Sequence, residues 1–380
     1  MLEYQRTRRF FAQIPDEMEQ PAAEELAELG AQDVNPEHRG IYFTADSATL
    51  YRINYCSRLI SRVLAPLASF PCRSTDELYR EARKIHWPKL FSLRQTFALF
   101  ANVSGSKITH SKYAALRLKD AIVDQFRDKF QKRPSVDTES PHVWFSLYIS
   151  RDQATISLDC SGGSLHRRGY REHWVPAPMQ ESLAAAIIRI TGWDGERPLY
   201  DPMCGSGTLL TEAMMSYCRI PAGYLREDWG FRFLPDFEPG VWKRVKRESD
   251  EAIRQLPENL IGGSDINAGA VNASRVNCNH LPHGRNVDLQ LRDFRDLEPV
   301  ENRTIVCNPP YGIRMKDTRE DPAELATQFG DFLKQKCTGS TAYVYFGDRR
   351  LVKRIGLRTS WKKPLRNGGL DGRLIKLELY

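Results

Sequence analysis

The amino-acid sequence predicts an α/β protein: a mostly parallel, doubly wound sheet in the C-terminal half, preceded by a smaller α+β region. Three observations predict it. From Pro198 onward, short apolar strands alternate with helices, the order that builds parallel sheets. Before about residue 165 the elements are shorter and include a hairpin, as in α+β units. Between the two, the stretch Ser164 to Pro178 carries three arginines, a glycine and two prolines and breaks the pattern.

The elements follow in order. Phe10 to Ile14 reads as a strand, and Met18 to Leu29 as a helix closed by Gly30, a usual residue just past a helix end. Ile41 to Phe43 is a strand, Ser47 to Cys56 a helix, and Arg62 to Phe70 a strand. Ser74 can cap a helix carrying Leu78 and Ala82. Phe97, Leu99 and Ala101 alternate with Ala98, Phe100 and Asn102 in a strand from Thr96 to Val103. Leu118, Ile122, Phe126 and Phe130 then recur every fourth residue, with Lys112, Lys119, Arg127 and Lys129 elsewhere, so a long amphipathic helix is expected. Val143 to Ile149 and Ile156 to Cys160 alternate around a turn at Arg151 and Asp152, a hairpin with one buried face.

Helix Glu181 to Ile190 opens the second half. Strands are expected at 198–200, 260–263, 287–291, 303–307 and 341–346, with helices at 208–217, 268–279 and 322–336 between them. The last strand, Leu374 to Leu379, and the lack of a helix after Ser360 suggest an antiparallel edge. Residues 219–257 exceed a usual connection and hold Tyr224, Trp229, Phe231, Phe233, Phe237 and Trp242, which implies an extra structured lobe.

At 380 residues, 41% hydrophobic and 27% charged, the chain has room for two or three domains with cores of their own. No apolar run approaches the roughly 20 residues of a membrane span. Asp16, Glu17 and Glu19 interrupt the basic and aromatic start before a signal peptide could form, so a cytoplasmic protein is expected. The eight cysteines are dispersed without a Cys-x-x-Cys pair, which indicates neither a disulfide framework nor a zinc site. A net charge of +7 permits a polyanionic partner without requiring one.

The chemistry concentrates at strand ends. The run Thr304 to Cys307 is stopped by Asn308, Pro309, Pro310, Tyr311 and Gly312. The two prolines fix φ and keep the residue before them extended, so Asn308 sits on a stiff turn at a strand's carboxyl end, where open α/β sheets bind ligands. The Asn308 side chain and the Pro309 carbonyl can together accept two hydrogen bonds from one planar NH2 group. Tyr311 offers a ring for stacking a base, worth roughly 1 to 3 kcal/mol. Upstream, the loop Asp201 to Gly207 is glycine-rich at a helix start, but Leu210 stands where a dinucleotide fingerprint has its third glycine, and a phosphate-binding Gly-Lys-Ser/Thr is lacking. Asp265 ends the second strand, where a carboxylate can accept both hydroxyls of a ribose. Asp293 follows the third strand beside Phe294, where a carboxylate can accept from an adenine amine next to a ring. The basic cluster His166, Arg167, Arg168, Arg171 around Tyr170 either grips phosphates or is a solvated linker.

With these motifs in place, the second half resembles class I S-adenosylmethionine-dependent methyltransferases of the amino-methylating type. The Asp201 to Gly207 loop, Asp265, Asp293 and the Asn308 to Tyr311 turn match that family's four main motifs. The first half resembles a ferredoxin-like segment followed by a THUMP RNA-binding domain. The stretches Leu165 to Tyr170 and Ala177 to Ala185 resemble the join in the RlmL group of 23S ribosomal RNA guanine-N2 methyltransferases. The resemblance implies a Rossmann-like catalytic domain at 166–380, a THUMP domain at 71–165 and a ferredoxin-like subdomain at 1–70. It implies S-adenosylmethionine held by Asp201, Met203, Gly205, Ser206, Gly207, Asp265, Ile266, Asp293, Phe294 and Asn308, with Asn308, Pro309, Pro310 and Tyr311 catalytic and no metal. RNA, either 23S ribosomal RNA or a ribosome assembly intermediate, is the implied partner, with Lys112, Lys119, Arg167, Arg168 and Arg171 as phosphate contacts. Larger bacterial members carry a second methyltransferase domain that this sequence does not show, so a single modification is expected. The motif alone does not choose among guanine N2, adenine N6 and cytosine N4. A transfer RNA guanine-N2 methyltransferase and a DNA adenine-N6 methylase are therefore the alternatives.

Overall fold

The structure, a computed structural model, describes residues 1–172, 179–310, 321–368 and 370–380. Among these, the N-terminal half contains α1 (Glu3–Thr7), β1 (Arg9–Gln13), α2 (Glu19–Glu28), β2 (Gln32–Glu37), β3 (Gly40–Thr44), α3 (Ser47–Cys56), β4 (Arg62–Pro71), α4 (Thr75–Ala82), β5 (Phe97–Ser104), α5 (Ser111–Phe130), β6 (Val143–Ser150) and β7 (Gln153–Asp159). Local chemistry sets the boundaries. Asp46 accepts from the Thr49 amide at 2.8 Å to start α3, and Ser74 accepts from Glu77 at 3.2 Å to start α4. Arg151 and Asp152 both take the left-handed conformation, which closes the β6–β7 hairpin.

The seven N-terminal strands form one sheet, in the order β2-β3-β1-β4-β7-β6-β5. The antiparallel pairing of β4 with β7 makes it continuous, so the strands before residue 72 and those after it share a hydrogen-bonded ladder. In the hairpin, Phe145, Leu147, Ile156 and Leu158 are fully buried as expected. Ser146 and Ser157 on the other face are buried too, so the hairpin is not one-sided. On that second face the Arg62 guanidinium lies over the Phe100 and Trp144 rings, 4.7 and 5.4 Å from their centroids. In α5, Leu118, Ile122 and Phe126 are buried, whereas Phe130 at the last turn is exposed.

The C-terminal half contains α6 (Glu181–Thr191), β8 (Leu199–Asp201), α7 (Thr208–Cys218), α8 (Pro239–Glu251), β9 (Ile261–Asp265), α9 (Ala268–Asn279), β10 (Asp288–Leu291), β11 (Thr304–Cys307), α10 (Pro322–Lys336), β12 (Thr341–Phe346), β13 (Trp361–Asn367) and β14 (Leu370–Glu378). They form a second seven-stranded sheet in the order β10-β9-β8-β11-β12-β14-β13. The first five strands are parallel and the last two join through antiparallel pairings, the edge that the absence of a late helix suggests. Successive strands from β8 run outward to one side, and from β11 to the other. Between β8 and β11 the order reverses, the place where open α/β sheets hold their ligand crevice, at the strands' carboxyl ends.

The aromatic segment after α7 is structured, but it is not a free lobe. It packs α8 against α3, with Phe231 4.6 Å from Tyr51, Trp242 5.4 Å from Tyr55, and Trp229 stacked on Phe231 at 5.5 Å between ring centroids. Its 3-10 turn Gly230–Phe233 reaches the first sheet, where the Phe231 amide donates to the Cys160 carbonyl at 2.7 Å. Both halves are joined there backbone to backbone.

Candidate active site

Four strand ends meet the crevice, each bearing a residue the sequence singles out. Asp201 is the last residue of β8, Asp265 the last of β9, Asp293 lies just past β10, and Asn308 just past β11. The adjacency of β9, β8 and β11 in the sheet brings the first, second and fourth together across the topological switch.

The loop from Asp201 to Gly207 is held from both sides. The Gly205 amide donates to Asp265 Oδ2 at 2.9 Å, and the Cys204 amide to the Ser264 carbonyl at 2.9 Å. From α9, Ser274 Oγ donates to the Gly205 carbonyl at 2.6 Å and Asn277 Nδ2 to the Ser206 carbonyl at 3.1 Å. These α9 contacts carry no motif signal in the sequence. Their one trace is that polar residues three apart lie on a helix face that also buries Ala270, Val271, Ala273 and Cys278. At Gly207, with φ +76°, an added Cβ would stand 2.9 Å from Ser274 Oγ, so the loop lies directly on the helix. Around a Cβ at Gly205, φ +55°, the space is open, so the loop's free side faces the crevice.

The electrostatics differ from acid to acid. Burial pushes the Asp201 carboxyl up to about 7, although the Met203 amide donates to its Oδ1 at 3.1 Å. Burial also raises Asp265, against the opposing amides of Asn267 and Gly205. Each Asp265 oxygen accepts one backbone N–H, which leaves lone pairs for a further donor. Ile266 beside it is 66% exposed, a large apolar surface at the crevice edge. Burial pushes Asp293 up as well, but the Arg295 guanidinium and amide outweigh it and hold the carboxyl below its usual range. Phe294 corrects an expectation: it is buried and packs edge-on against Phe329 and Phe332, 5.6 and 5.5 Å away, and so belongs to the core rather than to a ring-binding surface.

At the end of β11, Asn308 is half-buried and its Oδ1 is shielded from solvent without a hydrogen-bond partner among the described residues. A buried acceptor left open costs roughly 1 to 3 kcal/mol, so the position is set for an incoming N–H donor. Pro309 is buried and Pro310 half-buried behind it. Tyr311 lies outside the described residues, as does the first part of the Ala177 to Ala185 stretch.

The basic cluster is a second correction. Arg168 is 2% exposed; its guanidinium donates to the Leu165 carbonyl at 2.6 Å, to the Arg58 carbonyl, and to Glu212 of α7 at 3.4 Å. Arg171 donates to the Met179 carbonyl at 2.8 Å and to Thr208 Oγ1 at 3.0 Å. Both guanidiniums are spent on bracing α7, the helix that follows the glycine loop, and neither faces a solvent-borne phosphate. Arg167 and Lys112 are exposed, and Lys119 is half-buried and paired with Asp120 at 3.0 Å. All eight cysteines are free thiols, and seven of them are buried. Asp16, Glu19 and His38 bring ligand atoms within 4.8 Å of one another at the first half's surface, but Asp16 already pairs with Arg366 at 3.1 Å and Glu19 with the Arg39 amide at 2.9 Å. No helix of the described residues is long and apolar enough to cross a membrane.

Comparison with known proteins matches three family models to the chain. Residues 168–376 match the RMKL-like methyltransferase domain, 72–159 the THUMP domain and 9–64 the RlmL ferredoxin-like domain. A Synechocystis protein named Putative RNA methyltransferase slr0064 is 41% identical over 98% of this chain and 97% of its own. The ribosomal RNA large subunit methyltransferase K/L of Syntrophotalea carbinolica is 38% identical over 98% of this chain but 53% of its own, so this chain spans about half the length of that relative. The crystal structure of SMU.472, complexed with SAH, superposes with a TM-score of 0.85 over 98% of each chain at 26% identity.

Proposed function

The chain belongs to the RMKL-like methyltransferase family, and from that premise we propose that it transfers a methyl group from S-adenosylmethionine to the exocyclic N2 amine of a guanine in large-subunit ribosomal RNA. The cofactor and methyl transfer to RNA follow from the family and its relatives. The choice of N2 of guanine is the finer reading. One observation carries the amine as acceptor: the buried Oδ1 of Asn308 at the end of β11, without a partner among the described residues.

The crevice fits the cofactor. The free side of Gly205, the residual lone pairs of Asp265 and the exposed face of Ile266 offer close backbone approach, a hydroxyl acceptor and an apolar platform in sequence along the strand ends. S-adenosylmethionine, when bound, supplies a methyl group made electrophilic by its sulfonium. The acceptor nitrogen is a poor nucleophile because its lone pair is shared with the ring. Asn308 Oδ1 and the Pro309 carbonyl, each accepting one N–H, favour a pyramidal nitrogen and stabilise the positive charge that grows on it. The double proline keeps both acceptors rigid, so no reorganisation is required during transfer. Tyr311 is assigned by sequence alone to stacking the base. A base drawn from a helix must first be flipped out, at a cost of about a few kcal/mol.

Methyl transfer from labelled S-adenosylmethionine to unmodified 23S ribosomal RNA, bulk transfer RNA and DNA, followed by nucleoside analysis, tests the proposal. N2-methylguanosine from ribosomal RNA alone is the expected product. N2-methylguanosine from transfer RNA would keep the chemistry and change the substrate, and N6-methyladenine from DNA would overturn both base and partner. In a single-turnover assay Asn308→Ala is expected to lose about 100- to 1000-fold in rate while still retaining cofactor binding. An unchanged rate would remove Asn308 from catalysis.

A further inference from the structure

With Arg168 and Arg171 committed to packing, the RNA needs another foothold, and one end of the THUMP segment supplies it. We propose that RNA docks where the turn at 72–73, the loop 104–110, the first turn of α5 and the hairpin turn at 151–152 converge. This rests on the RNA-methyltransferase reading above.

Hydrogen bonds draw these segments together. The Cys72 amide donates to the Asp152 carbonyl at 2.7 Å, Arg151 to Ser104 at 3.2 Å, and both Ser106 Oγ and the Lys107 amide to Asp152 Oδ1 at 2.8 and 2.9 Å. They enclose an open cleft of about 490 Å³ whose lining includes Val103, Lys107, Ile108, Thr109 and Asp152. Arg73, Lys107, Lys112 and Arg151 are all exposed there, and none is in an ion pair among the described residues. Elsewhere in this segment several cations are matched: Arg83 with Asp128 at 2.6 Å, Arg117 with Asp76 at 2.9 Å, Lys119 with Asp120 at 3.0 Å and Arg127 with Asp124 at 3.1 Å; Lys129, at the far end of α5, is in no ion pair among the described residues and lies over the Phe130 ring.

Three acids lie at this end. Asp152 accepts from Ser106 Oγ and the Lys107 amide and faces the Lys107 and Arg73 charges, Glu77 accepts the Arg73 amide at 2.7 Å, and Asp76 holds Arg117, so the four exposed cations outnumber the carboxylates that face them. The side chain of His110, which precedes α5, makes no capping hydrogen bond, so the positive end of a 20-residue helix adds to the same surface. Beside these cations Tyr113 is 54% exposed and Leu116 51% exposed, one helical turn apart. Unmatched cations next to an uncovered aromatic ring suit a phosphate backbone with unstacked bases. An acidic protein segment would satisfy the cations but give the ring no partner.

The seven-residue strand β7 leads from this end to Asp159, which abuts Gly230 of the catalytic half. At ~3.3 Å per residue the foothold stands about 20 Å from that junction.

The test compares the full chain with a Lys107→Glu, Lys112→Glu, Arg151→Glu variant. Binding to an unmodified 23S ribosomal RNA transcript is measured by fluorescence anisotropy over a range of salt, and S-adenosylmethionine binding by calorimetry. The variant is expected to bind RNA at least tenfold more weakly, with a slope of log affinity against log salt shallower by about 2 to 3. Cofactor affinity and turnover at saturating RNA stay unchanged. Tyr113→Ala is expected to cost about tenfold without changing the slope. A triple variant that binds cofactor normally and RNA with unaltered affinity and slope overturns the foothold while leaving the methyltransferase reading intact. Retained transcript binding with loss of binding to poly-L-glutamate assigns the surface to an acidic protein and also overturns it. A wild-type chain that neither binds nor methylates the transcript removes the underlying RNA reading, and the foothold with it.

Discussion

Among single residues, the strand-end acids carry the most testable chemistry. Asp201 has a usual carboxylate value when unfolded and is pushed to about 7 by burial when folded. Between about pH 4 and pH 7 the folded chain keeps a proton that the unfolded chain has lost. Stability of the cofactor-free protein should therefore fall as pH rises through that window, by about 1.4 kcal/mol per pH unit for one group, and level off above it. Asp201→Asn should remove this component, seen as a flatter dependence of the urea midpoint on pH; an unchanged slope would place the titration elsewhere. Asp265→Ala should weaken cofactor binding about 10- to 100-fold in calorimetry, since it removes both the hydroxyl acceptor and the anchor of the Gly205 amide. These positions were legible because a strand's end and its following turn are written locally, in Thr304 to Pro310 or Gly263 to Ile266. Phe294, Arg168 and Arg171 were not. Their surroundings are set by Phe329, Phe332, Glu212 and Thr208, which are 35 to 44 positions away and invisible to local pattern.

At the level of elements, α7 is the part most heavily braced. Its Glu212 is fully buried and receives Arg168 at 3.4 Å and the Tyr170 hydroxyl at 3.1 Å, while Arg58 from the first half donates to the Met215 and Ile220 carbonyls at 2.7 and 2.8 Å. Removing one member strands a buried charge. Arg168→Met is expected to cost about 3 to 5 kcal/mol in denaturant unfolding, whereas Arg168→Met with Glu212→Leu should recover most of it, because a buried ion pair is often replaceable by apolar packing. If Arg168 were an RNA contact, the single variant would instead keep its stability and lose RNA affinity. Periodicity revealed the buried elements well: β11, β12, α9 and α10 fall where apolar alternation and caps place them. It failed for β2, whose residues are nearly all exposed, and for β13, an edge strand containing Pro364. Edge strands answer to their neighbours' hydrogen bonds rather than to a hydrophobic face. The helix α8 was hidden inside a segment whose aromatics signalled order but not its form.

The molecule as a whole is two sheets locked at a backbone contact that permits no side chain. A Cβ on Gly230 would stand 1.8 Å from the Asp159 carbonyl oxygen and 2.7 Å from the Gly162 amide, and a Cβ on Gly162 would stand 2.8 Å from the Gly230 amide. Around this point Trp229, Phe231, Phe237 and Trp242 interleave with Tyr51 and Tyr55. Arg189 with Glu28 at 2.5 Å and Arg366 with Asp16 at 3.1 Å close the periphery, but exposed pairs of this kind contribute little. The cohesion therefore rests on the aromatic cluster, and the cluster can form only while the two glycine backbones touch. Gly230→Ala must push the 3-10 turn off β7, at roughly 3 kcal/mol or more, and unseat the rings with it. The wild-type chain is expected to unfold in one calorimetric transition, and Gly230→Ala in two, with the catalytic half losing the rigid reference against which a docked RNA presents its base. Methylation of a long transcript should then fall while cofactor affinity holds. A single transition at an unshifted temperature would show that the contact at Gly230 is not what couples the two halves.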